Sequence, residues 1–144
     1  MDSDRPTVRP FILDNSVVMA WLFMESSPYA QFAVGKLAAQ RAIVPFLWPM
    51  EFANAIVTAR RRGRISVAEA THLQSMALRL PIDVDTTAPS ASVSEVIDLA
   101  LGHGLTAYDA SYLLVTLRHG GELATLDDEL RRAATSLGVF FRGN

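Results

Sequence analysis

Phe11-Ile12-Leu13-Asp14-Asn15-Ser16 decides the fold of this 144-residue chain. Three large apolar residues in a row, with no polar alternation, read as a short strand buried on both faces, and the polar trio after them leads into an apolar helix over residues 16–23. The alternation continues outward. A helix is expected over 28–40, a strand over 41–44, and a helix from Glu51 to Arg62 with Pro49 suited to its first turn and Gly63 at its end. Ser66 with Glu69 forms a capping-box pattern for a helix reaching Pro81, and residues 82–85 read as an edge-like strand with Asp83 and Asp85 toward solvent. Ser92 and Glu95 open a capped helix through Leu101; a strongly apolar helix covers 106–118, a strand 122–126, a helix 128–137, and a last short strand 139–141. Strands alternating with helices imply a mainly parallel sheet covered on both faces, whose ligand crevice lies at the carboxyl ends of the strands.

Composition narrows the function classes. Half of the residues are hydrophobic and 19% are charged, which argues for a packed interior. Residues 1–9 read as a flexible lead-in and 10–144 as a single domain. Cysteine is absent, so disulfides, thiolate metal sites and cysteine nucleophiles are excluded. The start carries acids where a secretory signal needs positive charge, and no apolar run is long enough for a bilayer, so a cytoplasmic protein without membrane contact is expected. A net charge of −2 gives no global case for nucleic-acid binding. Basic charge is concentrated at Arg60-Arg61-Arg62-Gly63-Arg64, read equally as a solvated helix end or as a patch contacting phosphates or an acidic partner.

Four acids stand just past an apolar run or at a helix start: Asp14, Glu51, Asp109 and Asp127. Singly, each suits a helix N-terminus, where carboxylates are favoured anyway. Together they converge, because Asp14 and Asp127 end strands while the helices bearing Glu51 and Asp109 begin at the same sheet edge. Crowded carboxylates raise one another's pKa, and a hard divalent cation relieves that repulsion. Ser16 and Thr125 are placed to hydrogen-bond the acids, and Asn54 shares the Glu51 stripe of its helix. Asp128 has a lesser claim as an auxiliary ligand. Tyr108 and Tyr112 read as core packing, and no pair of the three histidines has ligand spacing.

Those segments, Asp14-Asn15-Ser16, Pro49-Met50-Glu51-Phe52-Ala53-Asn54, Leu105-Thr106-Ala107-Tyr108-Asp109-Ala110-Ser111-Tyr112 and Thr125-Leu126-Asp127, resemble the motifs of a PIN-domain ribonuclease, in particular the VapC-type toxins of bacterial type II toxin–antitoxin systems. The resemblance runs from Phe11 to Phe141. It implies a PIN-like three-layer α/β/α sandwich with a mainly parallel sheet, and a Mg²⁺ or Mn²⁺ site lined by Asp14, Glu51, Asp109 and Asp127 with Ser16 and Thr125 in support. RNA as substrate, a VapB-type antitoxin and a homodimer are implied in the same way. Metal-assisted hydrolysis leaves a 5′-phosphate and a 3′-hydroxyl, and the lack of a placed histidine pair disfavours attack by a ribose 2′-hydroxyl.

An excess of apolar residues over 17–23 and 46–48 adds the expectation of an apolar groove near residues 17–24 and 46–57. Two other readings compete. A catalytically silent PIN-like module keeps the fold but would most naturally have lost an acid. A phospho-Asp phosphatase or receiver domain needs a lysine near the site, and Lys36, the only lysine, lies in an early helix.

Overall fold

The computed structural model describes residues 8–87 and 89–143, and the expected lead-in falls mostly outside them. Four parallel strands, β1 (Phe11–Leu13), β2 (Ala42–Val44), β3 (Ile82–Val84) and β4 (Glu122–Ala124), form a sheet in the order β3-β2-β1-β4. Among the described residues seven α-helices surround it: α1 (Asn15–Leu22), α2 (Pro28–Gly35), α3 (Trp48–Arg61), α4 (Val67–Leu78), α5 (Val93–His103), α6 (Ala107–His119) and α7 (Asp128–Ser136). Side-chain alternation along β1 builds the three layers. Phe11 and Leu13 enter a core shared with α1 to α4, while Ile12 enters a second core with α6 and α7 on the opposite face. Every strand is three residues long; β1 is buried throughout, whereas the edge strand β3 is largely exposed.

The strand order creates the crevice. The chain moves from β1 outward to β2 and β3, then returns to the other side of β1 as β4, so the topological switch lies between β1 and β4. Asp14 leaves β1 at that point, and its N–H donates to the Ala124 carbonyl of β4 at 3.0 Å. Two glycines allow β4 to approach so closely. Gly120 ends α6 in the left-handed conformation (φ 64°), and a Cβ on Gly121 would stand 2.5 Å from the Pro10 carbonyl oxygen.

Several local expectations are corrected. The helix expected over 28–40 stops at Gly35 and tightens into a single 3₁₀ turn, Lys36–Ala38, which sets the Lys36 ammonium over the Phe11 and Phe141 rings at 5.5 and 5.0 Å. The helix bearing Glu51 begins at Trp48, whose indole is buried. Ser66 and Glu69 make both capping-box bonds, whereas Ser92 makes no side-chain cap; its hydroxyl accepts from Arg118 at 2.8 Å. The last strand reduces to one parallel bridge between Leu123 and Phe140. Asp83 is exposed and paired with Arg41, but the Asp85 side chain turns inward, where Arg118 and His119 hold it at 3.1 and 3.7 Å. The apolar excess of α1 is mostly absorbed by the fold, since Val17, Val18 and Leu22 are buried and Met19, Trp21 and Phe23 pack against the same core. Among the described residues no helix is long and apolar enough to cross a membrane.

Candidate metal centre at the switch point

Asp14 is the most enclosed of the four acids, with 6% of its surface exposed. Two hydroxyls converge on its Oδ2: Ser16 donates at 2.6 Å and Thr125 at 2.8 Å. Each hydroxyl also receives a backbone N–H, Ser16 Oγ from Leu126 at 3.1 Å and Thr125 Oγ1 from Asp127 at 3.0 Å. The loop after β4 is thereby stitched to the end of β1 through one carboxylate oxygen. Burial raises the Asp14 pKa, the two hydroxyl bonds oppose that rise, and the nearby Asp127 charge adds to it.

Helix starts supply the other three acids. Glu51 lies in the first turn of α3, half-buried, and its Oε1 accepts from the Tyr112 hydroxyl at 2.5 Å. Burial raises its pKa; the tyrosine bond works against this, and the charges of Asp14 and Asp109 reinforce it. Asp109 stands in the first turn of α6, which Thr106 caps by accepting the Asp109 N–H at 3.1 Å. Its pKa rises through burial and the charges of Asp127 and Asp14, with the Thr106 hydroxyl bond opposing. Asp127 is the N-cap of α7, accepting the Leu130 N–H at 2.8 Å through Oδ1.

The expected residues therefore separate into groups. The structure brings Asp14, Glu51, Asp109 and Asp127 within mutual electrostatic reach and joins Ser16 and Thr125 to them by hydrogen bonds. Asn54 is exposed and makes no side-chain hydrogen bond among the described residues. Asp128 is exposed and pairs with Arg131 at 3.2 Å. The arginines occupy the far end of α3: Arg62 is eleven residues from Glu51, about 16 Å along the axis. Arg60 donates to the Ile65 carbonyl at 2.8 Å and Arg64 lies over the Phe23 ring at 5.1 Å, leaving Arg61 and Arg62 as the exposed members without such a contact. Tyr112 reads from the sequence as core packing, yet its hydroxyl ends on Glu51. The available signal was its i+3 spacing from Asp109, which puts both on one face of α6.

The donor set fits a hard divalent cation. Four carboxylates from four elements lie within electrostatic reach of one another, and among the described residues no Arg, Lys or His forms an ion pair with any of them. Asn15 Oδ1, next in sequence to Asp14, is a further buried acceptor without a hydrogen-bond donor among the described residues. Oxygen-only donors of this kind suit Mg²⁺ or Mn²⁺. Among the described residues no three acids or histidines are gathered closely enough to hold a cation as they stand.

A separate apolar cleft of about 530 Å³ begins at Trp48 and Pro49, beside the Glu51 turn, and runs along Phe52, Ile56 and Val57 to Leu78 of α4 and Val84 of β3. It contains Trp48 to Val57 of the expected groove, while Phe46 faces a different cavity and Leu47 packs against the second core. The 17–24 half is largely core, and α4 with β3 takes its place.

Comparison with known proteins gives a consistent result. The family model described as PIN domain matches residues 11–135. Ribonuclease VapC3 of Pyrobaculum aerophilum is 30% identical over 120 residues, which span 83% of this chain and 90% of that protein. The crystal structure of PAE2754 from Pyrobaculum aerophilum matches with a TM-score of 0.63 at 26% identity, covering 87% of this chain and 79% of that one.

Proposed function

The chain belongs to the PIN domain family, and we propose that it is a VapC-type toxin, an endoribonuclease that hydrolyses RNA with Mg²⁺ or Mn²⁺. The observation that carries this reading is the convergence of Asp14, Glu51, Asp109 and Asp127 at the switch point without a pairing cation among the described residues. The name of the curated relative, a ribonuclease, supports RNA as the substrate. These four residues would hold the cation, which when bound supplies Lewis acidity for water attack on the phosphodiester and offsets charge on the leaving oxygen.

The remaining work falls to the chain itself. Ser16 and Thr125 fix one oxygen of Asp14, so the most buried acid keeps a single orientation. Asp109 and Asp127 are less enclosed and stand on helix N-termini, whose dipoles favour an incoming phosphate as well as the acids themselves. Products should carry a 5′-phosphate and a 3′-hydroxyl. Incubating labelled single-stranded RNA with the protein, with and without Mg²⁺ or Mn²⁺, tests the proposal. Chelator-sensitive cleavage with those termini is the expected result; RNA binding without metal-dependent cutting would return the chain to the silent-module reading.

Partners follow the same reading. A VapB-type antitoxin would lay an apolar segment into the cleft that starts at Trp48 and Pro49 and runs between α3 and α4. The homodimer would use α5, which buries none of its residues and exposes Val93, Ile97 and Leu101 along one face. Light scattering at micromolar concentration tests this, and a well-behaved monomer would oppose it.

A further inference from the structure

Tyr112 has no surface exposure, yet its hydroxyl ends on a carboxylate of the cleft rather than in the surrounding core. It lies one turn after Asp109 on α6, so one helix contributes an acid to the cleft and also grips the acid that α3 contributes, 61 positions away in sequence. A phenol has one proton to donate, and here it is committed to Glu51 Oε1 at 2.5 Å. Oε2 is then the Glu51 oxygen with no hydrogen-bond partner among the described residues. Glutamate is long and samples several rotamers, and a half-buried glutamate beside two other acids gains from moving away toward solvent unless something holds it.

We propose that Tyr112 is a positioning residue of the metal centre: its hydroxyl fixes Glu51 so that Oε2 is available to the cation, and cation affinity depends on that bond. The proposal rests on the metal-dependent reading above. The hydrogen bond acts before any RNA arrives, so its effect is on metal binding as such. Partners that orient a metal ligand in this way typically contribute 10- to 100-fold in affinity or activity. A purely structural tyrosine would satisfy its buried hydroxyl equally well, and losing the bond would then lower the melting temperature while leaving the metal untouched.

Tyr112→Phe keeps the ring and removes the bond. Mn²⁺ titrated into the RNA-free protein and followed by electron paramagnetic resonance should bind Tyr112→Phe roughly 10- to 100-fold more weakly than the unaltered protein. In a Glu51→Gln background the same change should have no further effect, because the two residues act as one unit. If Tyr112→Phe folds poorly, the unaltered protein supplies the measurement. With 3 tyrosines in the chain, ring carbon resonances separate Tyr112 from Tyr29 and Tyr108, and Mg²⁺ should shift the Tyr112 signal with the midpoint of metal binding. Equal Mn²⁺ affinity in Tyr112→Phe, or a Tyr112 resonance indifferent to bound Mg²⁺, overturns the positioning role alone. Failure of the unaltered protein to bind Mn²⁺ overturns the metal reading and this inference with it.

Discussion

Asp14 and Asp85 follow strands of the same sheet, with β2 between them, in opposite electrostatic states. Each directly follows a strand, β1 or β3, at the carboxyl edge, and each has a side chain largely withdrawn from water. Burial pulls both pKa values upward. At Asp85 the Thr87 N–H and hydroxyl and the Arg118 guanidinium outweigh it, and the carboxyl sits below its ordinary range. At Asp14 only hydroxyls and a backbone N–H oppose it, a second acid adds to it, and the carboxyl stays above that range. A buried acid with its own guanidinium is a finished structural contact. One held by hydroxyls among other acids can gain from a cation brought from outside.

The sharpest way to break this contrast is to neutralise each acid. Asp14→Asn keeps the shape and removes the charge, and RNA cleavage should fall by at least about 100-fold, the upper end of what even an outer partner of a metal contributes. Its melting temperature should hold or rise, because an unpaired buried carboxylate is removed. Full activity in a folded Asp14→Asn protein would end the assignment.

Next in size is the response to cation and pH. Asp14, Glu51 and Asp109 have folded pKa values above their ordinary 3.8, 4.5 and 3.8. The folded state then binds more protons than the unfolded state between the ordinary and the raised values. The stability that these three groups contribute to the metal-free protein is therefore full below their ordinary values and is lost as pH rises through the raised ones. Calorimetry in chelator should show a higher melting temperature in mild acid than at neutral pH. At neutral pH, Mn²⁺ at about 100 times its Kd should restore about 2.7 kcal/mol. A melting temperature independent of both variables would contradict the electrostatic account.

Asp85→Asn should invert the Asp14 result. Cleavage should persist, while chemical denaturation shows a loss of about 2 kcal/mol from the hydrogen-bonded charge pair with Arg118. The smallest effect is expected at the arginine end of α3, since Arg61 and Arg62 are exposed and a helix length from the acids. Replacing both with Gln should alter stability by less than about 0.5 kcal/mol. Any loss of RNA or antitoxin binding should shrink with added salt, and unchanged affinity for both would leave the arginines as a solvated helix end.

The sequence by itself determined the parts that depend on local rules. Three apolar residues before Asp14 specify a strand buried on both faces, the Ser66–Glu69 pair specifies a cap, and the recurrence of acids at strand exits and helix starts marks carboxylates that a parallel sheet brings within electrostatic reach. Tertiary structure alone decided contacts between distant segments. Asp85 reads as a solvent-facing strand residue until α6 brings Arg118 beside it, and Tyr112 reads as core until α3 places Glu51 at its hydroxyl. Ser92 has the right spacing for a capping box, yet its hydroxyl is taken by Arg118. The physical reason is the same in each case. Helix periodicity and capping act over three or four residues and can be read along the chain, whereas a polar atom in a low-dielectric interior takes whichever partner packing delivers, and packing is settled by the whole fold.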